Sequence, residues 1–196
     1  LFLDELGEFP PRLLEALRQP LEEGAVHVAR RGGSLSFPCS VQVIAATNPC
    51  PCGFHGDRLT ACRCPRRALE RYRLRLSGPL LDRLDLRVLV PRLDADELVG
   101  PRQETSGQVR ARVVAARRIQ ADRGALNRNL TRGDLDALEW EPAAAAVLRN
   151  ATTRLQLTGR GWDRVRRVSR TIADLAGAES VAAVHVEEAV TLRGSE

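Results

Sequence analysis

Two short apolar runs, each ending in polar groups suited to catalysis, constrain this chain more than any other feature. Leu1-Phe2-Leu3 runs into Asp4-Glu5, and the stretch 41–46 runs into Thr47-Asn48. Apolar runs this short, without alternation, suit strands buried on both faces, as in a parallel sheet. The stretch 87–90, closed by Pro91, reads as a third strand. Between the first two, residues 10–19 carry Leu13, Leu14 and Leu17 at helical spacing. Pro stands at the start of that stretch, where its missing N–H costs nothing. Residues 25–30 and 34–37 flank Arg31-Gly32-Gly33, the pattern of a β-hairpin with a glycine turn. The sequence therefore predicts an α/β unit over residues 1–92.

Residues 93–103 are polar and carry Pro and Asp, as a linker does. Beyond them the apolar period is about 3.6, which predicts an all-α domain over 104–196. Its helices are expected at 106–122, 135–138, 142–157, 161–175 and 185–192. Asp134 and Asp163 read as cap or first-turn residues, where a carboxylate meets free N–H groups. Trp140 and Trp162 read as core or domain-interface residues.

Composition adds three constraints. All 30 basic residues are Arg, since the chain has no Lys. A phosphate-binding loop needs a Lys to reach the β/γ-phosphates, and none is available among these residues. The absence of Met, and a start inside an apolar run, predict a piece of a longer protein. A net charge of +5 and a pI near 9.5 suit a phosphate-rich partner, and equally a protein bathed in its own nucleotide. No apolar stretch approaches the roughly 20 residues that cross a bilayer, and no secretory signal precedes the fold. A cytoplasmic protein without a membrane partner is expected.

The carboxylate pair carries the first chemical reading. In NTPases the first carboxylate at such a strand end serves Mg²⁺, usually through water, and the second polarises the attacking water. The carboxyl edge is the right place, because phosphates lie there. Asn48, at the end of the second strand, is placed to hold the lytic water. Arg83, in Ser77-Gly78-Pro79-Leu80-Leu81-Asp82-Arg83, closes a short helix. Each has a plainer alternative: a solvated strand end, an Asn-Pro turn and a surface ion pair.

The cysteines carry the second. Cys50-x-Cys52 and Cys62-x-Cys64 are two pairs separated by nine residues, an arrangement that suits tetrahedral Zn²⁺. Gly53, Gly56 and Asp57 permit tight turns between them. Disulfides are the rival, disfavoured in a cytosolic chain. His55, inside the loop, is either a substitute ligand or an exposed side chain, and Cys39 reads as a small core residue. Arg30 and Arg31 at the hairpin tip suit either phosphate contact or a solvated turn. Arg110, Arg112, Arg117 and Arg118 form a stripe read as a solvated helix face.

In order and spacing these segments resemble Walker B, sensor 1 and the arginine finger of the AAA+ superfamily. The hairpin resembles the insertion before sensor 1 in the clade containing magnesium chelatase and MCM helicases. Glu22-Glu23-Gly24, the Ser77–Arg83 motif and Arg170-Thr171-Ile172-Ala173-Asp174-Leu175-Ala176-Gly177 are similar to the ComM/YifB subfamily of magnesium-chelatase-like ATPases. The resemblance implies a partial AAA+ P-loop NTPase core, its Walker A half missing, followed by an all-α helical lid. It makes Asp4 the Mg-ATP carboxylate, Glu5 the catalytic carboxylate and Asn48 sensor 1. Arg83 becomes the finger that reaches a neighbouring subunit's γ-phosphate. Arg160 becomes sensor 2, with Arg164 and Arg167 as alternatives. Arg30 and Arg31 would touch DNA. ATP and Mg²⁺ are the implied cofactors, beside the structural zinc read from the cysteines. The parent would be a homo-oligomeric ring, a hexamer, that moves on DNA in branch migration during recombination or natural transformation. The alternative is a chelatase-type ATPase that remodels a protein partner for metal insertion. Without Walker A, these residues alone are expected not to hydrolyse ATP.

Overall fold

A computed structural model describes residues 1–30, 33–76, 78–100 and 104–194. The chain forms two compact units, Leu1–Leu84 and Asp85–Glu196.

In the first unit, β1 (Phe2–Leu3) leads into a 3-10 turn at Leu6–Glu8. The expected helix over 10–19 is instead two: α1 (Pro11–Ala16) and α2 (Arg18–Glu23). Pro20 explains the break. It cannot donate to the Ala16 carbonyl and its ring crowds that group. It is tolerated in the first turn of α2, where N–H groups have no intrahelical partner. Gly24 ends α2 at φ 62°, with its N–H on the Pro20 carbonyl at 3.1 Å, a left-handed cap that glycine adopts without strain.

The hairpin forms as the sequence predicts: β2 (Ala25–Arg30) runs antiparallel to β3 (Gly33–Pro38), with Arg30 opposite Gly33. The next strand, β4 (Ile44–Ala45), pairs in parallel with β1 in the register Phe2–Ile44 and Leu3–Ala45. It is shorter than the expected 41–46, because β1 turns away after Leu3 and a ladder extends only as far as its partner. Two helices follow, α3 (Arg66–Arg75) and α4 (Gly78–Leu81). Leu3, Leu6, Leu14 and Leu80 form the buried centre, with Phe9, Leu17, Val43, Ala45 and Leu76 against it. Cys39, expected in a core, is only half-buried.

In the second unit the expected strand at 87–90 does not form. Val88, Leu89 and Val90 are exposed, and the Arg87 N–H donates to the Leu192 carbonyl at 2.6 Å. The described residues of this unit are helical around it and offer no sheet edge to extend. The expected linker contains a short helix, α5 (Ala95–Val99), set by a capping box between Asp94 and Glu97. Residues 101–103 lie outside the described residues. Then come α6 (Ser106–Asp122), α7 (Arg132–Ala137), α8 (Pro142–Leu155), α9 (Gly159–Leu175) and α10 (Ala183–Gly194).

Helix α9 is the spine of this unit. Its Val165 and Ala173 join Ala144, Leu148, Val186 and Val190 in one apolar core, with Trp140 and Trp162 packed against it. On its other side Asp174 accepts from Arg123, Asn127 and Arg170. Asp134 completes a capping box with Thr131, as expected of a first-turn carboxylate. Asp163 does not cap. Thr158 is the cap of α9, and Asp163 sits a turn further in, paired with Arg132 at 3.3 Å. Among the described residues no helix is long and apolar enough to cross a membrane.

Candidate functional site

The parallel β1–β4 pair decides which sequence-predicted groups meet. Because Leu3 stands opposite Ala45, Asp4-Glu5 and Thr47-Asn48 leave the two strands at the same carboxyl edge. The edge is closed by backbone bonds, from the Ala46 N–H to the Leu3 carbonyl at 2.9 Å and from the Leu6 N–H to the Ala46 carbonyl at 2.8 Å. Asp4, Glu5 and Asn48 are all exposed there. Glu5 sits at φ 51°, ψ 45°, a left-handed conformation that costs an L-residue about 1–2 kcal/mol. Its N–H donates to Asp4 Oδ1 at 2.9 Å. The turn thus presents two carboxylates and an amide side chain to solvent on one edge, the donor and acceptor set that a hydrated divalent cation and an attacking water require.

Three residues absent from the sequence reading support this edge. Tyr72 of α3, 6% exposed, sets its hydroxyl 3.2 Å from Thr47 Oγ1. It also packs on Gly7 so closely that a β-carbon there would overlap the phenol. Arg75 Nη1 donates to the Gly7 carbonyl at 3.0 Å and to Glu8 at 2.9 Å. Ala68, Tyr72 and Leu76 recur at four-residue spacing, a helical signal that the surrounding arginines obscure.

The four paired cysteines converge beside the same edge. Their sulfurs all lie within 4.8 Å of one another. Cys50 is 3.4 Å from Cys52 and 3.7 Å from Cys62, and Cys52 is 3.6 Å from Cys62. Tetrahedral zinc with Zn–S bonds of about 2.3 Å places its sulfurs about 3.8 Å apart, so these spacings fit a tetrathiolate ion. All four are free thiols. Backbone N–H groups of Phe54 and Arg63 draw the Cys52 thiol down to about 6. Burial, followed by the neighbouring thiols, pushes Cys64 up to about 12. A cluster this tight cannot hold four negative charges without a cation. The loop wraps through Gly53 and Gly56, both at positive φ, and Asp57 accepts from the N–H groups of Leu59 and Thr60. His55 stays outside the cluster, 3.2 Å from Arg73.

Arg83 follows α4, with its N–H on the Leu80 carbonyl. Its guanidinium pairs with Glu22 at the end of α2, and the side chain is only 8% exposed. Ser77, which opens that motif, lies outside the described residues. Arg30 is exposed at the hairpin end, and Arg31 lies outside the described residues. In the second unit, Arg160 is exposed in the first turn of α9. Arg164 pairs with Asp85 at 3.2 Å. Arg167 donates to the Leu130 carbonyl at 3.0 and 2.7 Å.

Two family models match the chain: magnesium chelatase, subunit ChlI, over residues 1–98, and its C-terminal domain over residues 103–193. The competence protein ComM of Haemophilus influenzae is 41% identical over 197 residues, covering 98% of this chain and 38% of that protein. YifB of Escherichia coli is 39% identical over 204 residues, covering 98% of this chain and 38% of that protein. The chain thus spans about two fifths of the length of these relatives. With both units matched and the relatives aligned almost end to end with it, the chain belongs to the magnesium-chelatase family of AAA+ proteins.

Proposed function

We propose that the protein bearing this chain is an ATP-hydrolysing ring motor that moves on DNA. The observation that carries the reading is the shared edge of β1 and β4, where Asp4, Glu5 and Asn48 meet. At such an edge Asp4 serves Mg-ATP, Glu5 polarises the attacking water and Asn48 holds that water near the γ-phosphate. Arg83 acts in trans on a neighbour's nucleotide, which makes the working form a ring, six-membered on the family resemblance. Arg160, exposed in the first turn of α9, is the sensor-2 group of the lid on the family resemblance, with Arg164 and Arg167 as the alternatives. The exposed Arg30, together with Arg31, reaches the DNA backbone, a contact that is salt-sensitive and blind to sequence. The similarity to a competence protein supports branch migration during recombination or transformation as the task. Cys50, Cys52, Cys62 and Cys64 hold a structural Zn²⁺, supported by the sulfur spacings. The protein works in the cytoplasm.

A second reading is supported by the matching models themselves, whose description is a chelatase subunit. In that case the motor remodels a protein partner during metal insertion. The deciding experiment measures ATP turnover of the protein, at the full length its relatives have, with and without branched DNA. Glu5→Gln and Arg83→Ala are measured beside it. DNA-stimulated turnover that falls on the order of 10³-fold or more in both variants is the expected result. DNA-indifferent turnover, still lost in both, moves the assignment to protein remodelling. Full activity in both variants overturns the residue roles.

A further inference from the structure

The cysteine cluster occupies a particular place in the chain path. Cys50 is fully buried and lies two residues beyond Asn48, so the cluster begins where β4 delivers its edge. Cys64 lies two residues before Arg66, the first residue of α3. Helix α3 then returns to the β1 turn, through Tyr72 on Thr47 and Gly7 and through Arg75 on the Gly7 carbonyl and Glu8. The path from β4 through the cluster and α3 back to the end of β1 is therefore a closed circuit. All its links but one are backbone segments, packed side chains or hydrogen bonds between N–H or O–H groups and oxygen. The exception is the set of sulfur contacts at 3.4, 3.6 and 3.7 Å, which as weak S–H hydrogen bonds hold little by themselves.

We propose that a Zn²⁺ ion bound by Cys50, Cys52, Cys62 and Cys64 is a positioning element for the Asp4–Glu5 and Thr47–Asn48 edge, acting through Tyr72. This rests on the zinc reading given above and extends it from a local staple to a part of the hydrolytic machinery. The ion fixes where α3 starts. Helix α3 fixes Tyr72, and Tyr72 holds Thr47 beside the turn that carries both carboxylates. Tyr72 touches neither nucleotide nor metal in this arrangement and is a positioning residue.

The test uses the full-length protein. Zinc per chain is measured by atomic absorption. Hydrogen exchange is then followed by mass spectrometry in the loaded protein, after stripping with a thiol-directed reagent and chelator, after zinc is restored, and in loaded Tyr72→Phe. About one zinc per chain is expected. Stripping should raise exchange at least tenfold in segments 4–8, 46–48 and 66–75, leave 159–175 unchanged, and reverse on reloading. Tyr72→Phe should keep its zinc yet loosen 4–8 and 46–48, and should lower kcat for ATP with KM retained. Zinc that is present, but whose removal changes exchange only within 48–65, overturns the positioning role and leaves the zinc reading intact. Protection lost equally in 159–175 also overturns it, since the ion would then hold the whole fold. No zinc in the purified protein, and none taken up when it is offered, overturns the zinc reading itself.

Discussion

The hydroxyl of Tyr72 lies 3.2 Å from Thr47 Oγ1, while the hydroxyl end of the same ring packs against Gly7. One side chain of α3 thus touches the turn after β1 and the turn after β4, the two segments that carry every candidate hydrolytic group of this unit except Arg83. The two contacts have different physical origins and separate by substitution.

Removing the hydroxyl deletes one partly buried hydrogen bond, so Tyr72→Phe should cost about 1 kcal/mol. Gly7→Ala instead drives a methyl group into the phenol, and overpacking of this kind costs about 1–3 kcal/mol. Urea denaturation of the two variants should rank them in that order. A Gly7→Ala variant as stable as the parent would show that the contact at Gly7 is not the close approach described.

The buried network on α9 predicts a pH effect with a defined sign. The Asp174 side chain is fully buried, which by itself would raise its pKa. Hydrogen bonds from Arg123 and Asn127 and the charges of Arg170 and Arg123 outweigh this and hold the carboxyl below its ordinary value. A carboxylate depressed by folding stabilises the fold fully above its unfolded pKa of about 3.9. That contribution is lost as pH falls through the folded value. Asp174→Ala should destabilise the helical unit by about 3–5 kcal/mol at pH 7, because it leaves Arg170 buried without its carboxylate. The difference between parent and variant should shrink as acid is added below pH 4. Thermal melts across that range check both statements, and a gap that is constant with pH would contradict the linkage.

The legibility of these features from sequence followed their range. The edge groups were readable because each sits directly after its own apolar run, and a parallel register then needed only to bring two strand ends level. The hairpin and α6 were equally local, the first marked in sequence by Gly32-Gly33 between two short runs, the second held at its start by a Thr105–Gln108 capping box. The break between α1 and α2 was also available, because Pro20 stands four residues after the carbonyl it cannot serve. Tyr72 was not, since its importance lies in contacts 25 residues away with Thr47 and with Gly7, and α3 lacks a clean apolar face. The strand expected at 87–90 failed for the opposite reason. Apolar content marks a segment as able to pair, but says nothing of whether an edge is there to receive it.

Helix α7 offers a smaller test of local reasoning. Thr131 accepts from the Asp134 N–H while Asp134 accepts from the Thr131 N–H and hydroxyl. These bonds hold the Asp134 carboxyl below its usual range. Thr131→Ala should cost about 1 kcal/mol, and Thr131→Ser close to nothing. Equal losses in the two variants would point to the methyl group rather than the cap.

Glu22 bears on the finger role proposed for Arg83. Sixty-one residues separate them in sequence, yet they form an ion pair whose arginine is largely buried. Glu22 lies in the last turn of the helix that leads through Gly24 into β2, so the base of the hairpin and Arg83 share one contact. If Arg83 acts on a neighbour's phosphate, its side chain must arrive already oriented. Loosening a long side chain forfeits about 1–2 kcal/mol of ordering. Glu22→Ala should therefore slow ATP turnover about tenfold, with KM for ATP little changed, since the nucleotide's own pocket is untouched. Glu22→Gln, which keeps a hydrogen-bond acceptor in place, should retain more of the rate than Glu22→Ala. Turnover that is unaltered in Glu22→Ala but abolished in Arg83→Ala would show that the finger does not depend on this ion pair for its aim.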